Sequence, residues 1–235
     1  MSDWYAKAGG DVAGFRAALP RLLKTPTERI PHEPLRGCVD LMRRDERFAA
    51  LAREVGPPRI HSYPSTFESL ARAIAYQQLS GKAARTIWGR VLGLFPDRKP
   101  VPEALLRKRD VTLRRAGLSH AKIAAVKDLA RHVVRGDLDP PALRRLPDDE
   151  VMERLVRVRG IGPWSAHMHL MFSLGRLDVW PVGDLGVRKG LGLFHGRAEP
   201  VGAKEMDGLG EPFRPWRTLA AWYMWRLLEL PEVPV

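Results

Sequence analysis

Residues 157–170 read "RVRGIGPWSAHMHL", and the fold turns on how Gly160-Ile161-Gly162-Pro163 is understood. A helical stripe of Val151, Leu155 and Val158, opened at Pro147-Asp148, leads into it. Glycine disfavours a helix interior and readily takes positive φ, so Gly-Ile-Gly ends that helix. Pro163 then sits where a new helix opens, since a first helical residue does not need its N–H. That helix runs to about Leu174. The spacing therefore predicts two helices joined by a short Gly-x-Gly turn, a helix–hairpin–helix. Its second helix directs a positive N-terminal end and unpaired N–H groups outward. With no Cβ at Gly160 and Gly162, a phosphate oxygen can approach those groups closely, and no base is read. A tight turn without a ligand satisfies the same residues, so this stretch alone leaves both possibilities open.

Composition narrows the choice. The chain has 235 residues, 45% hydrophobic and 28% charged, as folded globular proteins do and disordered chains do not. Lys and Arg exceed Asp and Glu by 39 to 27, a net charge of +12. Such an excess favours a polyanionic partner, nucleic acid ahead of an anionic membrane. Cys38 is the only cysteine, which excludes an intrachain disulfide, a cysteine-rich zinc site and a four-cysteine iron–sulfur cluster. The opening "MSDWYAKAGGDVAGF" has neither a basic n-region nor an apolar h-region. No apolar run is long enough to cross a bilayer, so the expectation is a cytoplasmic protein with no membrane association.

Helix signals dominate the rest, and alternating β-branched runs are missing. Ser65-Thr66-Phe67-Glu68 fits a capping box ahead of Phe67, Leu70, Ala71 and Ile74 at helical spacing. A helix is predicted from about Ala121 to Val134, with Ile123, Val126, Ala130 and Val133 on one face and Gly136 as its stop. The last helix starts at Pro215 and packs Leu219, Trp222, Tyr223 and Arg226 on one side. The stretch before Pro57 is helical in pattern but broken by Pro20, Pro26, Pro31 and Pro34. The fold class is all-α.

Two more segments carry chemistry. "LDVWPVGDLGVRKG" (177–190) puts Asp184 at a helix start, where taken alone a plain N-cap is the favoured explanation. "ARAIAYQQLSGKAA" (71–84) ends an apolar helix in Gln77 and Gln78. Taken with "RGIGPWSA", the motifs "WPVGDLG" and "AYQQLS" resemble the helix–hairpin–helix (HhH-GPD) DNA glycosylase superfamily. "AGLSHAKIAAVKDLA" (116–130) and "PFRPWRTLAAWYMWR" (212–226) further resemble its AlkA-type DNA-3-methyladenine glycosylase II branch. The resemblance covers roughly residues 63–226.

The resemblance implies two helical lobes with a DNA-binding cleft between them. Residues 64–179 would form the central lobe, with 1–63 and 180–235 forming the terminal one. It implies Asp184 as the catalytic carboxylate and Trp164 and Trp225 as walls of the base pocket, with Tyr63, Trp180 and Tyr223 as further pocket candidates. Tyr76 and Trp222 are weaker ones. Gly160, Gly162 and Ser165 of the hairpin would bind DNA, as would Arg188 and Lys189. Gln78, with Leu79 as neighbour and alternative, would fill the gap left by a flipped nucleotide. The backbone carbonyls of Val158, Gly160 and Gly162 would hold a monovalent cation, and no other cofactor is required.

Lyase-competent relatives carry a nucleophilic lysine where this chain has Trp164, which implies base release without strand cleavage. The chain departs from the pattern at Gly183, where many relatives have a second acid, and at Met168 and Leu185, which replace pocket tyrosines. His167 and His169 lie two apart on a helix and so face different sides, which argues against a metal pair. The expected activity is excision of alkylated purines from double-stranded DNA by a monomer. The alternatives are a non-catalytic DNA-binding module and a glycosylase for hypoxanthine or ethenoadenine.

Overall fold

The computed structural model describes residues 32–60 and 62–230. Among them lie twelve α-helices, three short 3-10 turns and no strand, the all-α class predicted. Helices α1 (His32–Arg44) and α2 (Glu46–Val55) come first. Then follow α3 (Phe67–Tyr76), α4 (Gly81–Leu92), α5 (Pro102–Arg107), α6 (Asp110–Ala116), α7 (His120–Arg135), α8 (Asp148–Val156) and α9 (Pro163–Phe172). The chain closes with α10 (Leu185–Phe194), α11 (Met206–Gly210) and α12 (Arg217–Leu227). Pro20, Pro26 and Pro31 lie outside the described residues. Pro34 does not break a helix, because it sits in the first turn of α1, where no N–H partner is required.

The helices gather into two compact units, one of residues 62–175 and one of the segments on either side. The sequence places these divisions at 64 and 179. No helix of the described residues is long and apolar enough to cross a membrane.

In the central unit α7 packs against α3 and α5, and α8 packs against α9. Ser119 caps α7 by accepting from the Lys122 N–H, and Gly136 at φ +81° ends it. Its buried face is Ile123, Ala125, Val126, Leu129 and Ala130, and each large side chain there contributes about 1.5–3 kcal/mol. The α3 cap falls one residue later than the sequence suggests. Thr66 accepts from the Ser69 N–H, and the Ser69 side chain accepts from the Thr66 N–H. Ser65 is instead buried, donating its hydroxyl to Pro140 O at 2.6 Å. The Ser65 oxygen is thereby left to accept from His169 Nε2 at 3.0 Å, which fixes the Nε2–H tautomer. Burial pushes the pKa of His169 down to about 4.

The terminal unit is built on rings. Phe48, fully buried, meets Tyr223, Phe213 and Phe194 at centroid distances of 5.0, 6.1 and 6.3 Å. Two pocket candidates belong to this core and not to a pocket. Tyr223 is 0% exposed, with its hydroxyl on Gly56 O and Cys38 Sγ. Trp180 is 5% exposed, donates Nε1–H to Met206 O and packs on Phe213. In both residues the polar group is spent inside the fold, as a buried ring requires. The buried side of α12 is likewise Leu219, Ala220, Tyr223, Met224 and Leu227. Trp222 and Arg226 are half-exposed and stack on each other.

Helices α10 and α12 cross at Gly190. A Cβ there would lie 2.2 Å from Met224 O, so the backbones approach within a distance that only glycine allows. Gly190→Ala must separate the helices and is expected to cost about 1–3 kcal/mol or more. Gly208→Ala, in open space on α11, should be neutral or slightly stabilising. Urea denaturation of the two variants checks this, and equal midpoints would contradict the close crossing.

His169 predicts an acid limb of stability. Between pH 6.5 and about 4 the unfolded chain takes up a proton that the folded one refuses. Stability therefore falls as pH drops through that window, by as much as roughly 3 kcal/mol at its lower end. His169→Gln should flatten the limb in urea titrations run from pH 7 to 4. Parallel slopes in the two proteins would contradict the assignment.

Candidate active site

The hairpin between α8 and α9 is held from below by α7. Asp128 Oδ2 accepts from the Arg159 N–H at 2.9 Å. Gly160 stands at φ +81°, and a Cβ on it would meet Ala125 Cβ at 2.9 Å. The fold thus explains Gly160 by itself. It does not explain Gly162, whose φ is −91° and whose Cβ would meet nothing within 4 Å among the described residues. What the missing side chain does is keep the ground in front of α9 open. Gly162, Pro163 and Trp164 are all exposed there, and no side chain caps the helix. This is the arrangement in which backbone donors and the helix dipole receive an anion from outside.

Ser165, expected at the DNA, also has an internal partner. The Gln77 amide donates to Gly160 O at 2.9 Å and to Ser165 Oγ at 3.2 Å. Gln77, noted in the sequence beside Gln78 but given no role there, is what joins the hairpin to the turn after α3. In that turn Gln78 is exposed at φ +55°, and Leu79 is exposed beside it. A left-handed non-glycine residue costs on the order of 1 kcal/mol and collects at functional sites.

Each hairpin carbonyl accepts one internal hydrogen bond: Val158 O from Ile161 N, Gly160 O from Gln77, and Gly162 O from Ala166 N. A carbonyl oxygen has a second lone pair, so this neutral donor set fits a monovalent cation. No cluster of His, Cys, Asp or Glu suited to a metal exists among the described residues.

The central unit also contains a hollow of about 280 Å³ lined by Tyr63, Tyr76, Met168, His169 and Phe172 among others. Tyr63 and Tyr76 therefore both line this cavity. Trp164 is not among the lining residues and stands 48% exposed at the start of α9.

Asp184 belongs to the terminal unit and is fixed from several directions. The strand of chain before it is stapled to the start of α12. Arg217 donates Nε–H to Asp178 Oδ1 at 2.8 Å, and the Val179 N–H donates to Thr218 Oγ1 at 3.0 Å. Trp180, locked in the core, continues the staple. Asp184 then caps α10, its Oδ1 accepting from the Val187 N–H at 2.8 Å and from Trp225 Nε1 at 2.9 Å. Asp184 is 7% exposed, and Gly183 and Leu185 on either side are exposed. Trp225 reaches it across Gly186, where a Cβ would lie 2.8 Å from the indole Cδ1.

The N-cap role weighed against catalysis is thus real, but a cap does not require the indole. Arg188 donates Nε–H to Val201 O at 2.7 Å, which braces the loop after α10, whereas Lys189 is exposed. A carboxylate fixed at a helix N-terminus against an aromatic ring is equipped to stabilise positive charge developing beside it. The side chain after Gly-Ile-Gly-Pro offers no amine for covalent attack.

Residues 71–215 match the family described as "HhH-GPD superfamily base excision DNA repair protein". DNA-3-methyladenine glycosylase 1 of Schizosaccharomyces pombe is 35% identical over 194 residues, which cover 80% of this chain and 85% of that protein. The solved structure of the S. pombe 3-methyladenine DNA glycosylase in complex with abasic DNA superposes with a TM-score of 0.74 at 33% identity. That match covers 83% of this chain and 98% of the other. DNA-3-methyladenine glycosidase from Bacillus halodurans gives a TM-score of 0.73 at 38% identity, covering 79% and 86%. The chain belongs to the HhH-GPD superfamily of base excision DNA repair proteins.

Proposed function

We propose that this protein is a monofunctional DNA glycosylase that flips alkylated purines, of the 3-methyladenine and 7-methylguanine type, out of double-stranded DNA. It hydrolyses their N-glycosidic bond and leaves an abasic site. The observation that carries the proposal is Asp184, fixed by Val187 N–H and the Trp225 indole. Support comes from the names of the similar proteins and from the S. pombe relative's abasic-DNA complex.

The hairpin grips phosphate through the open N-terminus of α9, and the +12 charge draws the duplex in. Flipping costs a few kcal/mol, less for a base that pairs poorly. A purine alkylated at N3 or N7 is cationic and gains roughly 0.5–2 kcal/mol by stacking on an indole face. As the bond to the base breaks, the sugar develops oxocarbenium character, which the Asp184 carboxylate stabilises. The same carboxylate orients the water that completes hydrolysis. A monovalent cation on the carbonyls of Val158, Gly160 and Gly162 would add positive charge for the phosphate. No other cofactor enters. The protein works as a monomer at the nucleoid, in the cytoplasm.

Asp184→Asn separates a cap from a catalyst. Asparagine caps helices about as well as aspartate, so melting temperature and affinity for undamaged duplex should hold. Release of 3-methyladenine from methylated DNA should fall by a factor of about 10² or more, because the charge is gone. A stable, DNA-binding variant that excises at the wild-type rate would sink the assignment of Asp184 as the catalytic carboxylate, whereas no base release by the wild-type protein would leave a non-catalytic DNA-binding module.

Trp164 in place of an amine predicts no Schiff base. Borohydride treatment during turnover on a lesion-containing duplex should trap no protein–DNA adduct above background. An efficient adduct would show that Lys82, Lys189 or another amine attacks the sugar.

A further inference from the structure

Lys122 stands in the first turn of α7, where its charge opposes the positive end of its own helix, and no acid in that turn offsets it. Its placement makes sense only through what it reaches. The ammonium donates to Ala75 O at 2.8 Å and to Gln77 O at 2.7 Å, carbonyls at the C-terminal end of α3. There a cation complements the dipole and satisfies acceptors that the helix leaves open. Burial lowers its pKa, as expected of a cation turned inward.

The next residue along is Gln78 at φ +55°, followed by exposed Leu79. The Gln77 amide meanwhile holds Gly160 O and Ser165 Oγ in the hairpin. Lys122, Ala125 and Asp128 recur at three-residue spacing along α7. They respectively hold the end of α3, pack under Gly160 and anchor the Arg159 N–H. Two exposed segments about eighty residues apart in the chain are therefore bolted to one face of one helix.

We propose that Lys122 is a positioning residue for base flipping. It fixes the Gln78–Leu79 turn at a set offset from the hairpin, so that gripping phosphate presents the turn to the DNA stack. This rests on the glycosylase reading above. The ammonium itself touches no DNA, and its effect passes through the turn.

The test uses a duplex with a stable abasic analogue and 2-aminopurine beside it, together with single-turnover excision on a methylated duplex. Lys122→Met keeps the length of the stem and removes the ammonium. Its melting transition should remain cooperative, and its affinity for undamaged duplex should stay within about twofold, since no phosphate contact is lost. The 2-aminopurine signal of turn insertion and the excision rate should both fall about tenfold or more, as small misplacements do. Lys122→Arg, which can still donate to both carbonyls, should restore most of the signal. Gln77→Met cuts the other strut and serves if Lys122→Met fails to fold. A wild-type 2-aminopurine signal in Lys122→Met would overturn the proposal. So would loss of undamaged-duplex affinity in proportion to the signal. If the wild-type protein inserts its turn but releases no base, the glycosylase reading fails and the positioning role stands.

Discussion

The site in the terminal unit depends on how closely α10 can lie on α12. Gly186 and Gly190, four residues apart, occupy one face of α10, and each stands where a Cβ would strike α12. At Gly190 the obstacle is the Met224 backbone, and at Gly186 it is the Trp225 ring. Without that approach the indole N–H could not reach the carboxylate of the residue that starts α10. The staple at Asp178, Val179 and Trp180 closes the arrangement from the other side. Asp184 is thus held by packing, not by a loop's preference, and preorganised charge is where catalytic stabilisation is largest.

The central unit applies the same economy to binding. Helix α7 buries an apolar face and uses Lys122, Ala125 and Asp128 to fix what DNA would meet. Its glycines divide by cause. Gly160 answers to backbone sign and to Ala125, whereas Gly162 answers to nothing among the described residues and leaves room for an outside group.

Much of this was legible in the sequence. Gly-Ile-Gly-Pro predicts the hairpin because glycine and proline act locally, and apolar spacing predicts α7 and α8 to within a few residues. Asp184 at a helix start follows from Asp before a periodic run. Aromatic roles were not legible in this way. Trp180 and Tyr223 are aromatic like Trp225, and only tertiary packing buries the first two around Phe48 and Phe213 while leaving Trp225 beside the acid. Gln77 and Gln78 are adjacent and chemically identical, yet the sign of φ at 78 turns one inward and leaves the other exposed. The small-residue spacing of Gly186 and Gly190 was a visible signal of a close helix crossing. Lys122, a cation at the wrong end of a helix, was another.

The central claim is that the Asp184 charge is placed for a cationic sugar. The most direct measurement compares affinities for two duplexes that differ at one residue, a neutral tetrahydrofuran abasic analogue and its cationic pyrrolidine counterpart. Tighter binding of the cationic sugar, with the advantage lost in Asp184→Asn while tetrahydrofuran affinity stays level, is the predicted result. Equal affinity for the two duplexes, or an advantage that survives the substitution, would contradict it.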